Sequence, residues 1–139
     1  MKKTFILALF LLLGSLSLWA QKGKQQTADT PRHEVLSRSE TQLFSGQLIQ
    51  KQWGKTVQSY CAGGSGYWVL VLADGQELVV DAAADSPNLN IHSFLNKQVS
   101  IRGYVENRRI RPPNDPMSQH PIADVSCEVL VAHSIKTSP

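Results

Sequence analysis

Cysteine is scarce in this 139-residue sequence: there are two, Cys61 and Cys127, and no C-x-x-C pair. Zinc sites usually draw on such closely spaced pairs, and of His120 and His133 only His133 lies near a cysteine in the chain. A metal site is therefore not expected. An even cysteine count in an exported chain favours a single disulfide, here one that closes a loop of about 65 residues.

Signatures of nucleotide-binding and catalytic sites are also missing. The glycine-rich run 63–66 is followed by neither Gly-Lys-Ser/Thr nor a helical pattern, so it fits neither a P-loop nor a dinucleotide-binding turn. No serine or cysteine lies in a nucleophile motif, and both cysteines are expected in the bridge. Asp115, Asp124 and Glu128 supply acids and bases without a catalytic pattern around them. We predict a non-enzymatic protein without a cofactor.

An excess of charge of one sign is absent from the predicted domain. The whole chain carries +3, but from Ser39 onward 8 basic residues stand against 9 acidic ones. A near-neutral domain lacks the positive surface that provides most non-specific affinity for nucleic acid. Nucleic acid is therefore not an expected partner.

No apolar run reaches the length of a transmembrane helix. Phe5 to Ala20 spans 16 residues interrupted by a glycine and two serines, whereas a spanning helix needs about 20 apolar residues. With Lys2 and Lys3 before it, this run predicts a secretory signal over residues 1–20, cleaved after Ala20. Residues 21–38 are polar without an apolar period and predict a flexible linker to a domain at 39–139. The expected location is the periplasm or the extracellular medium.

The pattern that is present is that of a β-protein. Tyr67 to Leu72 and Glu77 to Ala82 are rich in β-branched and aromatic residues, and the Asp74-Gly75 pair between them predicts a tight hairpin. Val99 to Val105 alternates apolar and polar residues, as a strand with one buried face does. Two further strands are predicted at Phe44–Ile49 and Glu128–Ile135.

One short helix is predicted between the hairpin and the strand that begins at Val99. Asn90 suits an N-cap, and the apolar residues of 91–95 fall on one narrow stripe. Two long connections, 50–66 and 111–126, separate the remaining strands. The second contains four prolines, whose missing backbone donors exclude a central strand and stiffen a loop.

The resulting order is five strands with a helix between the third and the fourth. This order, the Asp74-Gly75 hairpin, the passage from Leu95 to Gly103 and a closing strand that ends at Ile135 resemble the OB-fold, a five-stranded Greek-key barrel. Over about residues 41–136 the chain is similar to the small exported OB-fold proteins of bacteria, most of which have no assigned reaction. The resemblance implies an all-β barrel and supplies no catalytic residues.

The two long connections are the candidate recognition surface, because in an OB-fold the loops between strands one and two and between strands four and five flank the binding face. Cys61 and Cys127 lie in or beside these loops, so the bridge would join them; the alternative is a bridge that only stabilises a small domain.

Aromatic and basic residues are candidates to stack on rings and pair with anionic groups, and His120 lies in an exposed loop. The alternative interpretation is that the aromatic residues belong to the core and the arginines are solvated at the surface. The candidate ligand-binding residues are Trp53, Tyr60, Arg102, Tyr104, Arg108, Arg109, Arg111 and His120.

Three functional hypotheses follow. The leading one is a non-enzymatic exported binding module that recognises an envelope protein, a saccharide or a small anion through the bridged loops. The second is an inhibitor or stress-protective envelope protein that presents the proline-stiffened segment 111–121 to a partner at low entropic cost. The third is a hydrolase that uses His120.

Overall fold

The computed structural model describes residues 32–64, 66–112 and 123–139, and these are mostly β-structure. The expected signal at 1–20 lies outside these ranges. No helix within them is long and apolar enough to cross a membrane. The elements are β1 Arg32–Arg38, β2 Gln42–Gln52, α1 Val57–Ala62, β3 Gly66–Leu72, β4 Glu77–Ala82, a 3₁₀ helix Ile91–Phe94, β5 Gln98–Arg111 and β6 Val125–Thr137.

The strands form one six-stranded sheet in the order β1-β5-β2-β3-β4-β6, and a further pairing of β6 with β5 partly closes it into a ring. β4 and β6 are parallel, and the other pairs are antiparallel. β5 closes the ring because β6 pairs along one of its edges while β1 and β2 share the other. The predicted β class is confirmed, whereas the sheet has six strands where five were predicted.

β1 is the strand that the sequence pattern did not predict. Residues 21–38 were expected to form a flexible linker, and this is wrong for the part that β1 occupies; residues 21–31 lie outside the described chain. The side chains of residues 33–38 are exposed, so no alternation of buried and exposed residues marks the strand. Its backbone pairs with β5, and the ion pairs Arg38–Glu106 and Arg109–Glu34 add cross-strand contacts.

The predicted hairpin is confirmed, and its turn chemistry is visible. Leu72 and Gln76 close the turn, with the Leu72 N–H donating to the Gln76 carbonyl at 2.8 Å. The Asp74 carboxylate accepts from the Gln76 N–H at 2.9 Å, and Gly75 has a φ of 84°. Asp-Gly therefore supplies a side-chain acceptor and a residue that adopts positive φ without strain.

The short helix lies where it was predicted, with a different form and cap. It is a single 3₁₀ turn, Ile91–Phe94. Asn90 occupies the predicted N-cap position, but its side chain makes no capping hydrogen bond, so the predicted capping contact is wrong. Instead the Asn90 carbonyl accepts from the Ser93 hydroxyl at 2.8 Å. Ile91 is buried, and Phe94 and Leu95 pack against the same core. The predicted apolar stripe therefore faces the ring interior.

Apolar side chains form two cores on opposite faces of the sheet. The larger one fills the ring and includes Leu48, Leu70, Ile101 and Leu130, all fully buried. The smaller one lies outside the ring beneath α1 and the disulfide. Its buried members are Cys61, Tyr67, Val69, Val79, Ile110 and Val129. Covering both faces explains why β3 and β4 are nearly continuous apolar runs rather than alternating ones.

Candidate binding groove beside the disulfide

The predicted disulfide is confirmed. Cys61 of α1 is bonded to Cys127 of β6, with 6.2 Å between their Cα atoms. Helix α1, which the sequence did not predict, lies within the first long connection, and Cys127 follows shortly after the second. The bridge therefore holds α1 against the outer face of the sheet, where Cys61 is buried and Cys127 half-buried.

A groove of about 480 Å³ opens to solvent at the N-terminal end of α1. One side of it comes from the end of β2 and the start of β3, and the other from the 54–56 turn and the first residues of α1. Its lining is mixed in polarity. The lining residues are Lys51, Gln52, Gly54, Thr56, Val57, Gln58, Ser59 and Tyr67.

The α1 wall of the groove is held by a compact set of hydrogen bonds. Thr56 is the N-cap of α1, and its hydroxyl accepts from the Ser59 N–H at 3.2 Å. The fully buried Ser59 hydroxyl accepts from the Gly54 N–H at 3.0 Å and lies 2.9 Å from the Thr56 hydroxyl. Ser59 thus has its hydrogen-bonding needs met within the turn, and its role is to hold the turn.

Three polar side chains from β2, α1 and β4 meet beside the groove, and two of them, Lys51 and Gln58, line it. The Lys51 ammonium forms an ion pair with Glu77, and the Gln58 side-chain amide donates to the same Glu77 oxygen at 3.0 Å. These hydrogen bonds, first that of Lys51 and then that of Gln58, hold the pKa of Glu77 below its ordinary value of 4.5. The carboxylate therefore stays ionised, and the three groups stay joined, to a lower pH than an isolated glutamate would allow.

The predicted aromatic candidates of the first long connection come together. The rings of Trp53 and Tyr60 pack edge to face with centroids 5.9 Å apart. Trp53 is 43% exposed and lies in the chain between Gln52 and Gly54, both of which line the groove. Edge-to-face packing orients the two rings relative to each other, and the indole keeps part of its surface exposed.

The predicted arginines are not gathered at this groove, and three of them are ion-paired. Arg109 contacts Glu34 at 3.4 Å, and Arg111 contacts Asp124 at 3.3 Å. Arg108 is the most buried of the three, with a side chain 12% exposed. These pairings favour a structural role over the predicted pairing with an anionic ligand.

Arg108 is the centre of an ion network on the outer face of the sheet. Its guanidinium donates to Glu106 and to Asp81, both at 2.7 Å, and Glu106 also accepts from Arg38 at 2.8 Å. Burial by itself would lower the pKa of Arg108, but the hydrogen bonds to Asp81 and Glu106 outweigh it and raise the pKa above its ordinary value. Because Asp81 belongs to β4 and Glu106 to β5, Arg108 joins these two strands across the intervening β6.

Replacing Arg108 with alanine is expected to lower the free energy of unfolding by about 2 kcal/mol. This is less than the roughly 3–5 kcal/mol for breaking a fully buried pair, because Glu106 keeps Arg38 and Asp81 is 41% exposed. Urea denaturation followed by far-ultraviolet circular dichroism measures the loss. Arg109→Ala is the matched control: both members of its pair are exposed, so we expect a change below about 0.5 kcal/mol. Equal losses in the two variants would contradict the assigned role of Arg108.

The remaining candidates lie away from the groove. The Tyr104 ring has the Arg38 guanidinium 5.6 Å from its centroid and the His133 ring 5.4 Å away, and His133 Nδ1 lies 3.1 Å from Asp85. Arg102 is exposed on β5. His120 lies outside the described residues. The predicted site residues that the structure describes therefore separate into an aromatic pair beside the groove and five residues distributed along both faces of β5.

Sequence reasoning missed several residues that line the groove or contact its lining. Lys51, Gln58 and Glu77 are brought together from β2, α1 and β4 only by the fold, and no spacing in the sequence signals that contact. Val57 could have been found from the sequence, because it is an apolar residue directly after the N-cap threonine in a polar stretch. Its side chain is 54% exposed. Among the described residues, no group of three or more His, Cys, Asp or Glu is placed to hold a metal ion.

Comparison with known proteins adds no relative. No protein-family model, no curated protein and no solved structure matches the chain. The groove, the disulfide and the ion network are therefore interpreted from their own geometry.

Proposed function

We propose that this protein is an exported, non-enzymatic binding module whose recognition surface is the groove beside the Cys61–Cys127 disulfide. The observation that carries the proposal is the attachment of α1: a six-residue helix, too short to be stable alone, is fixed to β6 by a covalent bond and forms one wall of an open groove. A rigid wall loses little entropy when a ligand binds.

The strand pairings support assignment of the barrel to the OB-fold within this proposal. The ring β2-β3-β4-β6-β5 has a parallel β4–β6 pair and a short helix before β5, which agrees with a five-stranded Greek-key barrel to which β1 is added. In such a barrel the connection that contains α1 flanks the binding face. Export is supported by the disulfide, which persists in oxidising compartments.

The proposal is tested by capture from an extract of the source cell's envelope, with the full secreted chain as bait. We expect a partner to be held by the wild type and lost on Val57→Glu, which puts a charge on the exposed rim of the groove, and on the double replacement Cys61→Ser and Cys127→Ser. Leu43→Glu is the matched control, because Leu43 is 71% exposed on β2, away from the groove.

Capture that is unchanged by Val57→Glu, with the variant folded, would show that the groove is not the recognition surface. Capture that survives loss of the disulfide would reduce the bridge to a stabilising element. The proline-rich segment 111–121 of the alternative inhibitor hypothesis lies mainly outside the described residues, and no specific observation favours it.

A further inference from the structure

The charge of the groove is balanced. Lys51 is the charged residue among those that line it, and its ammonium is neutralised by direct contact with Glu77. A small anion would have to compete with that carboxylate and would be repelled by it. The groove is therefore suited to an uncharged ligand.

The Lys51–Glu77–Gln58 set retains hydrogen-bonding capacity. An ammonium has three donors and a side-chain amide two, and within the described part of the chain each group uses only part of its set, with both contacts to Glu77 on one of its two oxygens. Lys51 and Gln58, which line the groove, therefore have donors to spare beside the Glu77 carboxylate, and their contacts with each other already orient them. Vicinal hydroxyl groups, which donate and accept at adjacent positions, match this arrangement.

Exposed apolar surface accompanies this polar set. Trp53 and Val57 are two of five large hydrophobic side chains exposed in the described chain, and both are at the groove or beside it. The exposed part of the Trp53 indole, oriented by its contact with Tyr60, offers apolar aromatic surface beside the groove. A ligand that suits both features has hydroxyls at its edge and C–H groups on its face, as a pyranose ring does.

We propose that the groove binds a neutral saccharide, with hydroxyls on Gln58 and its ion-paired neighbours and a ring face on Trp53. This inference rests on the proposed binding function and names its ligand class. The volume of about 480 Å³ lies within the range of roughly 300–1,000 Å³ typical of small-molecule sites, which suits a short oligosaccharide.

The test uses the full secreted chain on a printed array of neutral and acidic glycans, followed by calorimetric titration of the best neutral binder. Inorganic phosphate and sialyllactose serve as anionic probes. We expect saturable binding of a neutral oligosaccharide, weakened about tenfold or more by Trp53→Ala and several-fold by Gln58→Ala. Leu43→Ala, an exposed apolar truncation on β2, is expected to leave the affinity unchanged. Circular dichroism verifies that each variant is folded.

The other outcomes overturn the inference. Binding of acidic glycans or phosphate alone would exclude a neutral ligand, and neutral binding unaffected by both groove variants would place the site elsewhere. If no neutral glycan binds while the envelope extract still yields a partner sensitive to Val57→Glu, the saccharide inference fails and the binding module stands. If no glycan binds and the envelope extract yields no partner, the proposed binding function fails as well.

Discussion

Removal of the Cys61–Cys127 disulfide is expected to lower the free energy of unfolding by about 4 kcal/mol. The bridge joins residues 66 positions apart, and a cross-link over such a loop removes much of the conformational entropy of the unfolded chain. A domain of this size has a total stability of about 5–15 kcal/mol, so the loss is a large share of it. The disulfide also lies in the smaller core, where both cysteines contact apolar neighbours.

Urea denaturation of the wild type with and without dithiothreitol, and of the Cys61→Ser and Cys127→Ser double variant, measures this effect. Dithiothreitol should leave the free energy of unfolding of the double variant unchanged, which controls for effects of the reductant itself. We also expect amides of α1 to exchange hydrogen faster in the double variant than amides of β3, because α1 loses its covalent attachment. A loss of stability below about 1 kcal/mol would contradict the prediction.

Gly103→Ala is expected to cost about 3 kcal/mol or more, or to prevent folding. A Cβ atom at this position would lie 2.1 Å from the Val131 carbonyl oxygen, which is backbone and cannot rotate aside. Gly103 lies where the β5–β6 register shifts after Arg102, so relief would require movement of the two strands that close the ring. Gly46→Ala should behave similarly, because its Cβ would lie 2.2 Å from the Val71 carbonyl oxygen.

Gly54→Ala is the matched control for these two variants. Nothing lies within 4 Å of its added Cβ, so we expect a change below about 0.5 kcal/mol. Soluble yield and urea denaturation compare the three proteins. A Gly103→Ala variant as stable as Gly54→Ala would show that the close approach of β5 and β6 is not required.

Local sequence patterns predicted most of the strands because those strands bury side chains. The β3–β4 hairpin follows from two apolar runs around Asp74-Gly75, and the core of β5 follows from the alternation of Val99, Ile101 and Val105. β1 was not predicted because the side chains of residues 33–38 are exposed and the strand forms by pairing with β5. The six-residue α1 escaped prediction because it is shorter than two helical turns and shows no apolar period.

The candidate site was predicted only in part. Trp53 and Tyr60 were identified as aromatic residues of a long connection, and they do pack together. The arginines were identified by charge alone, and charge does not reveal that a carboxylate from another part of the chain lies beside each of Arg108, Arg109 and Arg111. A pairing of this kind depends on strand order and register, which local patterns do not specify.

The β class, the hairpin and the disulfide could be predicted from the sequence, because turn chemistry, β-rich apolar runs and a count of two cysteines are local or compositional properties. The six-stranded order, the placement of α1 over the smaller core and the meeting of Lys51, Gln58 and Glu77 arise only in the folded chain. Each of these features depends on contacts between residues far apart in the chain. Such contacts lower the free energy of the fold only once the strands have paired. The groove is a product of that pairing.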